Sequence, residues 1–306
     1  RGGGTLYLCS TVNPGKAYAG IECVLWGQRK LVSARRHVVL EDLSFLNSGV
    51  HGFQETDVRH VAIRGCEFRF IGGAVWNRER RMRFGNAVEL WDGASEVTVE
   101  GCLFDNIYDS AVTHQGGETK HIPERIHFRN NLFTDCGLAA YESREPSQEI
   151  YFEYNTCING GGGFSMQGEN PPRATDPYPQ PVGYHVWAWM IEPRRQPGKV
   201  YIRHNIFCES TGPAVCMSID AADAEKFILD DNCYWKSTPG KLIEWSGEKP
   251  YSQEEFARYQ SECANDPHSR IAKPLFEDES RGDLRQRKDS PCFDAGMQID
   301  GEGIRL

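Results

Sequence analysis

One short phrase recurs along this chain, and its recurrence constrains the fold more than any single residue does. It reads apolar-x-apolar-x-x-(Asn or Cys)-x-aromatic. Val61-Ala62-Ile63 is followed by Cys66 and Phe68, Val97-Thr98-Val99 by Cys102 and Phe104, and Ile126-His127-Phe128 by Asn131 and Phe133. Ile150-Tyr151-Phe152 is followed by Asn155 and Cys157, Val200-Tyr201-Ile202 by Asn205 and Phe207, and Phe227-Ile228-Leu229 by Asn232 and Tyr234. Val38-Val39-Leu40 with Leu43 and Phe45 is a weaker first copy. Each copy opens with the alternation of a strand, not the spacing of a helix. Such strands are too short to bury a face alone, so the copies must stack. They recur about every 23 to 36 residues, with one gap of 50 between Cys157 and Phe207. That rung length fits a coil of short strands joined by turns, an all-β parallel solenoid. Stacked Asn amides can bond along a ladder, Cys66 and Cys102 are small enough to stand in for them, and the aromatic column would stack inside.

Each copy is followed by a second short strand: Val50-His51-Gly52-Phe53-Gln54, Val88-Glu89-Leu90-Trp91-Asp92, Val112-Thr113-His114-Gln115 and Ala140-Tyr141-Glu142-Ser143. Then come Phe164-Ser165-Met166-Gln167, a stretch around Val186-Trp187-Ala188-Trp189, and Val215-Cys216-Met217-Ser218. From Val38 to Trp245 the chain resembles the right-handed parallel β-helix proteins of the pectate-lyase-like superfamily. The tail, with His268-Ser269, Pro274-Leu275-Phe276, Gly282-Asp283-Leu284 and Ser290-Pro291-Cys292-Phe293-Asp294-Ala295-Gly296, is similar to the ending of many bacterial β-helix carbohydrate enzymes. The resemblance implies the fold. It implies less about activity, because that fold hosts lyases, glycosidases, epimerases and adhesins.

The repeat argues for one elongated domain: residues 1–245 as the coil, with 1–37 as entry strands, and 246–306 as a capping segment with a helix from about Ser252 to Cys263. The cap would cover strand edges otherwise left unpaired. No run of 18 apolar residues is present, so no membrane insertion is expected. The abrupt opening at Arg1-Gly2-Gly3-Gly4 suggests a mature or trimmed chain of a secreted or periplasmic protein whose signal peptide and first strand are not in this sequence. A net charge of −9 disfavours nucleic acid and anionic membranes as partners. Local fields can override it, as in the basic insert Arg78, Arg80, Arg81 and Arg83. Eleven cysteines without a CxxC pair read as core-filling thiols at inward positions (Cys66, Cys102, Cys157, Cys208 and Cys233), not as a disulfide framework or a zinc site.

Three insertions, 77–84, 116–124 and 168–184, flank the second strands and mark that side as the binding side. Aligning those strands on Val50, Val88, Val112, Ala140, Phe164 and Val215 gives outward columns His51, Glu89, Thr113, Tyr141, Ser165, Cys216 and Phe53, Trp91, Gln115, Ser143, Gln167, Ser218. The column between them reads Gly52, Leu90, His114, Glu142, Met166, Met217 and should point inward. His114 and Glu142 are anomalous there. If these strands end one residue early, both emerge at the groove edge and contact each other. Such a polar and aromatic strip suits a polysaccharide or oligosaccharide.

Glycoside hydrolysis needs two carboxylates about 5 to 9.5 Å apart. Among Glu89, Asp92, Asp109, Glu142, Glu192 and Asp220, the favoured pair is Glu89 and Glu142, with Asp109 as substitute. His114 stands beside them as a further catalytic candidate. Substrate contacts are expected from His51, Trp91, Thr113, Gln115, Tyr141, Gln167, Trp187 and Trp189. No metal or cofactor is expected for a hydrolase. The rival reading is a polysaccharide lyase or C5-epimerase, with His51, His114 or Tyr141 as base and Arg81, Arg83 or Ca²⁺ neutralising a uronate. A non-catalytic glycan-binding solenoid or adhesin is the third.

Overall fold

The computed structural model describes residues 11–17, 19, 28–77, 79–80, 82–115, 121–163, 183–189, 195–246 and 249–298. Three long sheets run side by side along a coil. The strands of the repeated phrase (Arg36–Glu41, Arg59–Arg64, Ser95–Glu100, Glu124–Arg129, Gln148–Glu153, Val200–Arg203 and Phe227–Asp230) form a seven-stranded sheet. Eight strands carrying the aromatic column, from Ser44–Ser48 to Arg270–Ile271, form the second. The third, here the groove sheet, has nine: Lys30–Val32, His51–Thr56, Val88–Trp91, Ser110–Gln115, Ala139–Ser143, Val186–Trp189, Val215–Ser218, Lys241–Trp245 and Lys249–Ser252. All pairings within these sheets are parallel except the last, where Lys249–Ser252 turns back antiparallel on Lys241–Trp245. The fold is a parallel β-helix with little helix in it.

The phrase has a geometric cause at each position. Its two apolar residues point inward: Val61, Ile63, Val97, Val99, Ile126, Phe128, Ile150, Phe152, Val200 and Ile202 are all buried. Two residues later the backbone turns left-handed, at Gly65, Gly101, Asn130, Tyr154, His204 and Asp231 in successive rungs, with φ between 54° and 63°. That turn bends the chain from the phrase sheet into the aromatic sheet and aims the next residue into the corner. There stands the asparagine ladder. Asn131 Nδ2 donates to Val99 O at 3.0 Å and to Asn155 Oδ1 at 3.1 Å. Asn155 repeats this on Phe128 O and Asn205, Asn205 on Phe152 O and Asn232, and Asn232 on Ile202 O and Asp266. The Oδ1 of Asn155 also accepts the main-chain N–H of Asn131, as Asn205 does for Asn155 and Asn232 for Asn205. Both donors and both lone pairs of a fully buried amide are thereby used.

The aromatic column follows. Phe45, Phe68, Phe104 and Phe133 stack at 4.8, 5.1 and 4.8 Å between ring centres. Cys157 occupies the next place in register and leaves room. Phe152 of the phrase sheet fills it, lying against both Phe133 and Phe207. On the outer face of the phrase sheet, one register column reads Glu41, Arg64, Glu100, Arg129, Glu153, Arg203, Asp230. Charges alternate at every rung, so in-register stacking sets each cation beside carboxylates.

At the far end, the helix Phe256–Cys263 buries Phe256 and Tyr259 over the open interior, against Tyr234, Trp245 and Tyr251. The chain then returns along the coil. Gly296 N–H donates to His204 O at 2.7 Å and Met297 N–H to Thr156 Oγ1 at 2.9 Å. A disulfide between Cys233 and Cys292 fastens this return, across 59 residues of sequence. The expectation of unpaired thiols is corrected at this position. Cys233 stands on the outer side of its strand, where Cys292 of the returning segment meets it. Cys66, Cys102, Cys136, Cys157, Cys208 and Cys216 are free and buried.

Two outcomes follow. Asn155→Ala would strand buried donors and acceptors on two rungs and should cost about 3 kcal/mol or more in urea unfolding. A loss below about 1 kcal/mol would contradict the ladder's role. Cys292→Ser, or a reductant, should lower stability by about 2–4 kcal/mol, read as a lower thermal midpoint; a midpoint indifferent to both would count against the clasp.

Candidate active site

The groove sheet enters each rung through a column of small or apolar residues, Gly52, Ala87, Ala111, Ala140, Ala214 and Leu242, broken once by the buried His185. The register of the next residue fixes it: Phe53 aligns with Val88, Val88 with Val112, Val112 with Tyr141, Tyr141 with Val186, and Val186 with Val215. The corner is tight. A Cβ on Gly52 would lie 2.6 Å from Ala87 O and 2.8 Å from Phe68. The true inward column is therefore Phe53, Val88, Val112, Tyr141, Val186, Val215 and Ile243. The outward column beside it is Gln54, Glu89, Thr113, Glu142, Trp187, Cys216 and Glu244.

This corrects the expected alignment at three rungs, since Val186 takes the place expected for Phe164 between Ala140 and Val215, and residues 164–167 lie outside the described residues. Anchoring on Val50 displaced the first rung by three residues, and anchoring on Ala140 displaced another by one. Phe53, Tyr141 and Ser143 face inward and are buried, so Tyr141 has no access to substrate. Glu142 faces outward without any early strand ending. His114 is a true interior residue: its Nε2 pairs with Tyr141 Oη at 2.9 Å, and burial pulls its pKa down to about 3. It neither reaches the groove nor touches Glu142, which removes it as a catalytic candidate. Gln167 and Glu192 lie outside the described residues.

Glu89, Asp109 and Glu142 share one cavity of about 600 Å³, with His51, Trp91, Gln115, Trp187 and Trp189 among its walls. Glu142 is nearly sealed. One carboxylate oxygen accepts from Ser110 Oγ at 2.9 Å, the other from Trp189 Nε1 at 2.8 Å. Burial, and next the charge of Asp109, push its pKa up to about 7, against the opposing pull of those two bonds and of Arg144. Glu89 has a different neighbour. His51 Nε2 lies 2.9 Å from its Oε2. The His51 Nδ1 accepts the main-chain N–H of Asn86 at 3.1 Å, which holds the ring from behind; its Nε2 is close to Glu89 but out of line for a hydrogen bond. Between the two glutamates, in the same column, stands Thr113. It is buried, and its Oγ1 has no hydrogen-bond partner among the described residues.

The wall beyond Glu142 is aromatic. Trp187 and Trp189 stack at 4.9 Å, Tyr184 lies against Trp187, and the Arg144 guanidinium sits 4.6 Å over Trp189 while bonding Gln115. The opposite wall comes from the first insertion, which forms a hairpin of Ala74–Asn77 and Met82–Phe84. It contributes Trp76, Arg80, Met82, Arg83 and Phe84, and Arg29 joins it. Arg78 and Arg81 lie outside the described residues. Sequence reasoning missed Arg29, Asn86, Ser110 and Arg144. The small-residue column brings in Asn86, Ser110 and Arg144, because aligning Gly-Phe, Ala-Val, Ala-Val and Ala-Tyr sets the residues on either side in their place; Arg29 precedes the first of these rungs. No family model matches this chain, nor does any curated protein or solved structure.

The raised pKa of Glu142 has a stability consequence. Its folded value of about 7 lies above the ordinary 4.5, so the protonated form is the one the fold favours. That contribution is complete below about 4.5 and is lost as pH rises through about 7. The share of Glu142 in the wild-type loss across this window should be about 3 kcal/mol, beside that of the buried Asp266. Glu142→Gln should flatten that slope in urea unfolding series. An unchanged slope in the variant would place the titration elsewhere.

Proposed function

We propose that this chain is a glycoside hydrolase of the pectate-lyase-like type, acting on an extracellular or cell-wall polysaccharide with inversion at the anomeric carbon. The observation that carries the reading is the placement of Glu89 and Glu142 in one outward column, two rungs apart. Rungs about 4.8 Å apart separate their backbones by about 9.6 Å. That puts the pair at the long end of the carboxyl spacing of inverting enzymes, about 6.5–9.5 Å, which leaves room for water. Glu142, protonated to about pH 7, is the general acid for the leaving oxygen. Glu89, set by His51, is the base that activates water. The Thr113 hydroxyl lies in the gap between them, and Trp91, Trp187 and Trp189 offer rings to sugar faces. The disulfide supports an oxidising, secreted setting.

One observation favours a second reading. Arg29, Arg80, Arg83 and Arg144 line the same cavity and could neutralise a uronate for β-elimination or C5-epimerisation, with His51 as the remaining accessible base. A glycan panel separates the two: reducing ends without the ultraviolet absorbance of an unsaturated uronate mean hydrolysis, whereas that absorbance means a lyase. Under the hydrolase reading, Glu142→Gln and Glu89→Gln should each lower kcat by about 10²-fold or more. The wild-type rate should decline as pH rises through about 7, where the acid loses its proton, and an activated leaving group should rescue Glu142→Gln but not Glu89→Gln. Full activity in both variants would sink the assignment.

A further inference from the structure

We infer that the last turn between the phrase sheet and the aromatic sheet holds a divalent transition-metal ion of the zinc class, bound by Asp230, Asp231 and His268 with His204 as the fourth ligand. The donor atoms of the first three residues lie within 4.8 Å of one another. His268 Nδ1 is 2.8 Å from Asp230 Oδ2, and His204 Nε2 is 3.8 Å from Asp231 Oδ2. A tetrahedral ion with bonds of about 2.0–2.1 Å needs ligand atoms about 3.3 Å apart. The 2.8 Å separation lies below that value and the 3.8 Å one above it; His204 stands beside Asp231 outside the three-residue group, so its partly exposed ring must turn to reach an ion held by the other three.

The scaffold supplies these ligands from three separate stretches. Asp231 and His204 are left-handed turn residues of successive rungs, both with φ 54°, which brings their side chains to the same edge of the coil. Tyr154, the turn residue one rung before, stacks on the His204 ring at 4.7 Å and steadies it. His268 arrives from the C-terminal segment, where its main-chain N–H donates to Asp230 Oδ1 at 2.8 Å. Asp230 would ordinarily be neutralised by Arg203, its partner in register. Arg203 instead gives both Nε and Nη2 to Glu153, at 3.0 and 2.7 Å. Two adjacent carboxylates thus face two imidazoles at an exposed edge. Two nitrogens with two oxygens suit zinc; calcium takes six to eight oxygens. A bound ion would tie the segment that follows the capping helix to the last two rungs, away from the groove and independently of its chemistry.

The test uses the full chain without any affinity tag, stripped with EDTA and titrated with zinc chloride by calorimetry. One ion per chain and a raised thermal midpoint are expected. Asp231→Asn, which a left-handed turn accommodates, and His268→Gln should each weaken binding at least tenfold while circular dichroism stays unchanged. His204→Gln should weaken it likewise. Glu142→Gln, in the groove, should bind zinc as wild type does. Cobalt substitution should give the intense visible bands of a four-coordinate ion. Absence of saturable binding, or equal affinity in wild type, Asp231→Asn and His268→Gln, would overturn the site, and an unchanged affinity in His204→Gln would overturn its four-ligand form.

Discussion

The buried amide-to-amide hydrogen bond between rungs is the constraint on which the rest of this structure depends. A parallel coil must turn sharply at each corner, and each turn leaves main-chain groups that cannot reach a strand partner. The ladder from Asn131 to Asn232 meets those groups with side chains, rung after rung. It needs an end. At Asp266 it finds an acceptor that takes Asn232 Nδ2, the Tyr234 and Tyr259 hydroxyls and Ser269 Oγ together. Burial raises the Asp266 pKa to about 6 despite these donors. The capping helix and the last rung are thus joined to the ladder through one carboxyl group. At the other end Cys102 and Cys66 replace Asn, and the ladder passes into thiols bonded to main-chain carbonyls.

Because inward columns are fixed by packing, outward columns of the groove sheet are free to vary, and there the chain stops repeating. A carboxylate, a threonine, a second carboxylate and a tryptophan succeed one another in a single column. Rung spacing sets their separation without any loop. The differences between the two glutamates come from their neighbours. Glu142 is enclosed by Ser110, Trp189 and the field of Asp109, while Glu89 lies 2.9 Å from Nε2 of a histidine held from behind by Asn86. Enclosing a carboxyl in this way costs stability at neutral pH.

Much of the fold was legible in the sequence, and much of the site was not. The phrase gave two of the three sheets, since its spacing is set by a local turn that every copy shares. The groove sheet lacked such a mark. Its strands follow connections of varying length, among them the hairpin of Ala74 to Phe84, so no local mark fixes where each begins. Val50 and Ala140 are the first apolar residues of their stretches, but the corner takes Gly52 and Ala140 as small residues and gives the core position to Phe53 and Tyr141. A slip of one residue exchanges the two faces of a strand. At Ala140 it therefore turns Tyr141 out and Glu142 in, beside His114, and only the supposed early strand ending brings His114 to the groove edge. Arg144, adjacent to the misplaced strand, went unnoticed for the same reason. The alternating column from Glu41 to Asp230 was equally readable and would have confirmed the phrase register independently.

The sequence by itself determined the coil, its corner ladder and the stacking of its rings, because each depends on residues within one short repeat. Tertiary structure alone decided which side chains face the groove, how deeply Glu142 is enclosed, and that Cys233 and Cys292 meet across 59 residues. Those outcomes depend on how rungs of unequal length close against one another. Steric fit at a corner, not local preference, sets that closure.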